Sequence, residues 1–203
     1  ARPKGVTLTR DCVACSVSKA GAILKLNADD VTLIAAPISR PMALRTQLLP
    51  ALAAGSTIVL LGRFDPQEYL KALRRKPGAT ILALLPAALR QVLFHPELTR
   101  EDLGCVRLCI CGGDYVPADV FERFRELTGI ELTEQCGMTE TGMYAVNPPY
   151  GRKKAGSIGL PYYGVQISIV NDKGVDVRWG ESGEIAVRSP FAMEGYWNDT
   201  AAT

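Results

Sequence analysis

The stretch Thr133-Glu134-Gln135-Cys136-Gly137-Met138-Thr139-Glu140-Thr141-Gly142 decides how the rest of the chain is read. It follows an apolar, strand-like run containing Ile130 and Leu132, and it combines small hydroxyl residues, two glycines and a carboxylate. Glycines at a strand end let backbone amides approach a ligand closely. Thr139 and Thr141 offer hydroxyl donors, and Glu140 offers the hard oxygen that Mg²⁺ prefers. Composition alone favours an ordinary polar loop over one that holds a phosphate and its metal. The segments on either side separate the two.

Upstream of this stretch, strand and helix patterns alternate. Apolar positions Val13, Val17, Ala20, Ile23 and Leu24 recur at helical spacing within residues 11–27. Short apolar runs at Val31–Ala36, Thr57–Leu61, Thr80–Leu85, Val106–Cys111 and Ile130–Glu134 predict five strands. Helices are predicted over 41–54 despite Pro50, over 66–75 with Pro66 in the first turn, and over 87–94 and 117–127. Continuous apolar strands alternating with helices imply an α/β fold, a mainly parallel sheet flanked by helices. Such sheets bind ligands beyond the carboxyl ends of their strands. Gly112-Gly113-Asp114 and residues 135–140 both fall at such ends, so two glycine-bearing loops share one rim.

Downstream of residue 150 glycines punctuate short alternating runs, among them Val165–Val170 and Glu184–Arg188, with Asn171-Asp172-Lys173-Gly174 as a turn. Residues 1–150 therefore read as an α/β subdomain, and 151–203 as the start of a β-rich subdomain, a truncated partial barrel.

Composition narrows the function. The 203 residues include 47% hydrophobic and 22% charged residues at a net charge of +2, which gives no argument for a nucleic-acid or membrane surface. No apolar run approaches a membrane span, and no signal peptide opens the chain, so a cytoplasmic protein is expected. Of the six cysteines, Cys12 and Cys15 form a C-x-x-C, but the only histidine is His95 and the spacing matches no standard zinc site. Cys109 and Cys111 would share one strand face as small apolar residues. No G-x-G-x-x-G follows a strand, which sets aside a dinucleotide-binding oxidoreductase. Lys4 beside Gly5 is either a phosphate contact or a solvated lysine; its neighbours do not distinguish these.

Four motifs, in order along nearly the whole chain, resemble the adenylate-forming superfamily of acyl-CoA synthetases, luciferases and peptide-synthetase adenylation domains. Arg2-Pro3-Lys4-Gly5-Val6-Thr7-Leu8-Thr9 resembles the second half of that family's phosphate loop. Gly112-Gly113 resembles its adenine-site glycine pair, and Cys136-Gly137-Met138-Thr139-Glu140 its aromatic-Gly-x-Thr-Glu motif. Gly156-Ser157-Ile158-Gly159-Leu160-Pro161, Gly183-Glu184-Ile185 and Gly195-Tyr196-Trp197 resemble its β-subdomain signatures. The resemblance implies activation of a carboxylic acid by ATP to acyl-AMP, then transfer to coenzyme A. A carrier protein as acceptor, or a non-catalytic domain kept for binding, are the alternatives. It further implies that Thr139 contacts the α-phosphate, Glu140 holds Mg²⁺ and Lys4 lies over the β- and γ-phosphates. Gly112, Gly113, Asp114 and Gln135, Cys136, Gly137 and Met138 would enclose adenine, and Met143 would border the acyl pocket.

Three departures stand out. Cys136 replaces an aromatic residue and gives up stacking area on adenine. Pro37-Ile38-Ser39-Arg40 replaces a Pro-x-aromatic-His motif; Arg40 either pairs with a second substrate carboxylate or, the favoured reading, faces solvent or a nearby acid. Asp114-Tyr115 replaces Ala-Pro, and Asp114 is expected to cap the following helix. Because the family's ribose-binding Asp, hinge and C-terminal lysine would lie further on, the chain is expected to be an internal piece of a ligase, inactive by itself. The acyl substrate and the oligomeric state are not legible.

Overall fold

A computed structural model describes residues 3–203; Arg2 of the first motif lies outside the described residues. Strand β1 (Val6–Thr7) leads into helix α1 (Arg10–Leu24), where Thr9 Oγ1 accepts the Cys12 amide at 3.0 Å. The sheet strands follow as β2 (Val31–Ile34), β3 (Thr57–Leu60), β4 (Ile81–Leu84), β5 (Leu108–Gly112) and β6 (Thr133–Met138). Between β2 and β3 runs one continuous helical segment: α2 (Pro41–Ala43), a wide π-turn (Leu44–Leu48) and α3 (Leu49–Ala53). Helices α4 (Pro66–Leu73), α5 (Pro86–Leu93) and α6 (Ala118–Thr128) are the crossovers after β3, β4 and β5. Pro66 and Pro86 each open a helix, a position that needs no amide hydrogen.

Strands β7 (Gly142–Val146) and β8 (Leu160–Pro161) complete a seven-stranded sheet of order β3-β2-β4-β5-β6-β7-β8. It is parallel from β3 to β6 and antiparallel thereafter. Period-two alternation sends Leu33, Leu82, Leu84, Cys109 and Cys111 to one face, against α4, α5 and α6. Ile81, Ala83, Leu108 and Ile110 go to the other, against Leu24 of α1. Cys109 and Cys111 do share a face, and burial pushes the Cys111 thiol up to about 12. Beyond the sheet, β9 (Gln166–Val170) pairs with β10 (Glu184–Arg188), and the Asn171–Gly174 turn follows β9 as expected, Asn171 Oδ1 accepting the Lys173 amide at 3.0 Å. Strand β11 (Gly195–Tyr196) returns to pair with β1.

Two expectations are corrected. Residues 135–138 are not loop: β6 runs through Met138, because pairing with β5 and β7 satisfies its backbone despite the polar sequence. Asp114 does not cap α6. Its Oδ1 accepts the neighbouring Tyr115 amide at 2.8 Å, and Pro117 occupies the N-cap without a side-chain bond.

At the amino-terminal ends of β2, β4 and β5, Arg107 holds Asp30 with Nε–Oδ1 at 2.7 Å and Nη2–Oδ2 at 2.6 Å, and Thr80 Oγ1 donates to Oδ1 at 2.8 Å. Burial alone would raise the Asp30 carboxyl, but the Arg107 and Thr80 hydrogen bonds outweigh it and hold it below its ordinary value of 3.8. The pair's contribution to stability is therefore complete above that value and fades as pH falls through the depressed one. Arg107→Met, which strands a buried carboxylate, is expected to cost about 3 kcal/mol. Urea denaturation at pH 7 would measure this, and the deficit should shrink toward pH 3 as Asp30 protonates.

Candidate active site

The β6–β7 hairpin forms the centre of the rim. Thr139, Glu140 and Thr141 make its turn, and two glycines flank it because nothing larger fits. A Cβ on Gly137 would lie 2.7 Å from both the Gly142 carbonyl and Met143 Sδ. Gly142 has φ +69°, and a Cβ there would stand 2.7 Å from Phe191 Cβ.

Beside the hairpin opens a cavity of about 440 Å³. Thr139, Gln135, Gly137, Met138, Met143, Gly113 and Arg40 of the predicted site all line it. Its walls are largely apolar: Ala36, Pro37, Met42, Leu85 and Phe191 contribute. This matches the general form of a small-molecule site, apolar with a few placed polar groups. Arg40 is exposed on its rim and forms no ion pair among the described residues.

Glu140 and Lys4 lie outside this cavity but meet each other through Tyr196. The Tyr196 hydroxyl donates to Glu140 Oε1 at 2.7 Å, and Lys4 Nζ stands 4.0 Å from the centre of the same ring. Pairing of β1 with β11 sets Val6 opposite Tyr196, and the Met193 amide donates to the Glu140 carbonyl at 2.6 Å. So the first and last strands carry a cation and a phenol to the hairpin carboxylate. Gly112 ends β5 opposite Gln135, and Asp114 lies beyond it; neither lines the cavity. Cys136 does not line it either. Its thiol shares a hydrogen bond of 2.8 Å with the Tyr144 hydroxyl, and it packs against the cluster of Tyr144, Tyr162 and Phe191. Burial, then the Cys136 contact, push the Tyr144 phenol up to about 12.

Behind β6, the buried Glu134 Oε2 accepts from the Gly156 amide at 3.0 Å and from Asn147 Nδ2 at 3.2 Å, which ties the following loop to the hairpin. Burial raises its carboxyl, and the Gly156 and Ser157 amides oppose that rise.

The model that describes AMP-binding enzymes matches residues 1–197. The chain belongs to the AMP-binding enzyme family. Among relatives in that family, a feruloyl-CoA synthase of Amycolatopsis sp is 32% identical over the whole chain, and an indoleacetate–CoA ligase of Aromatoleum aromaticum is 34% identical. The chain spans 41% and 40% of the lengths of these two AMP-binding enzymes. Its fold superposes along its full length on 40% of ATP-bound MatB from Rhodopseudomonas palustris, with a TM-score of 0.92 at 30% identity. A malonyl-CoA ligase in complex with methylmalonyl-CoA and AMP gives a TM-score of 0.83 at 29% identity, over 44% of that chain.

Among the described residues no group of three His, Cys, Asp or Glu side chains forms a metal cage. Mg²⁺ does not need one: it takes one or two carboxylates and completes its shell with water and substrate phosphates. Glu140 fits that demand. Tyr196 occupies Oε1, which leaves Oε2 for a ligand, and Thr139 and Thr141 flank Glu140 in the turn. Two residues at this site do not stand out from motifs alone. Tyr196 was visible as part of Gly195-Tyr196-Trp197 but was assigned to the β-subdomain. Arg45, a cavity-lining residue, was hidden inside a predicted helix.

Proposed function

We propose that this chain is the acid- and nucleotide-binding part of an AMP-forming acyl-CoA ligase. The observation that carries the proposal is the convergence of Lys4, Tyr196 and Glu140 at a hairpin whose Thr139 lines a mostly apolar cavity. In this reading the cavity holds the organic part of a carboxylic acid and aims its carboxylate at the hairpin. A carboxylate oxygen attacks the α-phosphorus of ATP, the bond to the β-phosphate oxygen breaks, and pyrophosphate leaves. The coenzyme A thiolate then attacks the acyl carbon and AMP departs.

The first step brings two anions together, so catalysis rests on neutralising charge and fixing geometry. Thr139 donates to the α-phosphate from the turn. Glu140, held in place by Tyr196, binds Mg²⁺, which neutralises the phosphate oxygens when bound. Lys4 adds a cation to the β- and γ-phosphates. Gly113, Gln135, Gly137 and Met138 form the wall between acid and nucleotide. The division near residue 150 belongs to the same proposal, with the rim in the α/β part and Tyr196 supplied by the β-rich part.

Carboxylate-dependent ATP–pyrophosphate exchange by the full-length enzyme tests this, across monocarboxylic, aryl and dicarboxylic acids. Exchange with one class supports the first step, and coenzyme A consumption then distinguishes it from loading of a carrier protein. A folded enzyme that binds ATP and exchanges with no acid would leave only a binding role. Within this scheme, Tyr196→Phe keeps the ring under Lys4 but frees Glu140, and an exchange rate lower by about 10-fold is expected, as for loss of one hydrogen bond to a charged group. A rate unchanged in Tyr196→Phe would show that Glu140 needs no such support.

A further inference from the structure

The cavity wall contains a cation with no counter-charge. Arg45 is 6% exposed, yet no carboxylate pairs with it among the described residues. Its Nε reaches Ser16 Oγ at 3.3 Å, and its Nη2 reaches the Phe191 carbonyl at 3.4 Å and Cys12 Sγ at 3.8 Å. Nη1 is buried and has no hydrogen-bond partner among the described residues. Long contacts to neutral atoms return little of the hydration that a buried guanidinium gives up, and arginine cannot escape by losing its proton.

A second orphan stands close by. The Tyr162 hydroxyl is also buried without a partner among the described residues, on a residue 3% exposed that lines the same cavity. Its ring meets Phe191 edge-on at 6.1 Å, and Phe191 is the residue whose carbonyl takes Arg45. Arg45 and Tyr162, each with an unused donor among the described residues, thus both touch Phe191 at the cavity.

The backbone explains how Arg45 comes to face inward. It sits in the π-turn Leu44–Leu48, where Arg45, Thr46 and Gln47 are buried in succession. The Met42 carbonyl accepts from Thr46 Oγ1 at 2.6 Å and from Gln47 Nε2 at 3.3 Å. Such wide turns put consecutive side chains where a regular helix cannot, and they recur at functional sites.

We infer that Arg45 and the Tyr162 hydroxyl receive the distal carboxylate of a dicarboxylic acid, whose other carboxylate is activated at Thr139 and Glu140. A carboxylate supplies the missing counter-charge and can accept both orphan donors. Ala36, Pro37, Met42 and Met143 would line the hydrocarbon spacer between the two acid groups. The inference rests on the ligase reading and names its substrate class. It also moves recognition of a second carboxylate from the exposed Arg40 to the buried Arg45.

The test uses ATP–pyrophosphate exchange by the full-length enzyme with α,ω-dicarboxylic acids of increasing length, each paired with its monomethyl ester. The diacid of the best length should exceed its ester by about 10- to 100-fold in kcat/KM, the range set by a charge-assisted hydrogen-bonded pair. Arg45→Met should erase that preference by raising KM for the diacid, with exchange of the ester retained as proof of folding, and Arg45→Lys should restore part of it. Should Arg45→Met fail to fold, Tyr162→Phe is expected to weaken the diacid by about 3- to 10-fold and spare the ester. Equal use of diacid and ester, or a preference untouched by both substitutions, overturns the inference and leaves the ligase reading standing. Exchange with no acid of any class removes both.

Discussion

Glu140→Ala is expected to lower carboxylate-dependent pyrophosphate exchange by about 10²–10³-fold, the range for removing one preorganised electrostatic group. The fold should survive. Glu140 is half-buried, its side chain has Tyr196 as its one hydrogen-bonded partner among the described residues, and its carbonyl keeps the Met193 amide whatever the side chain. The stability cost of losing the Tyr196 bond is about 1 kcal/mol. Glu140→Gln separates two roles: it still accepts from Tyr196 but carries no charge. If charge toward Mg²⁺ is what counts, Gln behaves like Ala, and both raise the Mg²⁺ concentration needed for half-maximal exchange. A Gln variant near wild-type activity would instead make Glu140 a positioning residue.

Phe191→Ala should be the most destabilising single truncation near the site, by about 3–5 kcal/mol. Phe191 is fully buried, packs edge-on against Tyr162, and fills the space that Gly142 leaves empty. Deleting its ring opens a void between the hairpin and the cavity wall, and that void adds a cavity cost to the lost transfer energy. The main-chain carbonyl that serves Cys12 and Arg45 remains. Urea unfolding should show a lower midpoint at unchanged slope, whereas Phe191→Leu should cost under about 1.5 kcal/mol if local repacking suffices. A loss below 1 kcal/mol in the alanine variant, roughly the average for any substitution, would mean that the hairpin is held from elsewhere.

Much of this architecture was legible because burial on both faces leaves a strong imprint on strands. Leu33, Leu82 and Ile110 belong to runs that no solvent-facing segment would carry. The pair Thr139-Glu140 stood out through its place after a glycine at a strand end, and the chemistry proposed for it comes from the family resemblance. The strand character of 135–138 was not, because Gln135, Cys136 and Gly137 have little intrinsic preference for strand and acquire it from neighbours on both sides. Asp114 before a helix resembles a cap in any linear reading; the structure places it three residues ahead of the N-cap at Pro117 and engaged with the Tyr115 amide. Arg45 left one trace, a charge among Met42, Leu44, Leu48 and Leu49, but a regular helix would have turned it differently. A π-turn cannot be inferred from residue types.

The pairing of β1 with β11 carries a consequence for when the site exists. Lys4 and Tyr196 lie near opposite ends of the stretch described here, and the pairing of Val6 with Tyr196 brings them together. The sheet strands from β2 to β6 pair with strands nearer in sequence, whereas β1 and β11 must close a loop that spans nearly all the described residues. In the proposed reading a nucleotide would meet the Lys4, Tyr196 and Glu140 group only after that loop has closed, and a chain cut before residue 195 should keep its sheet core without that group.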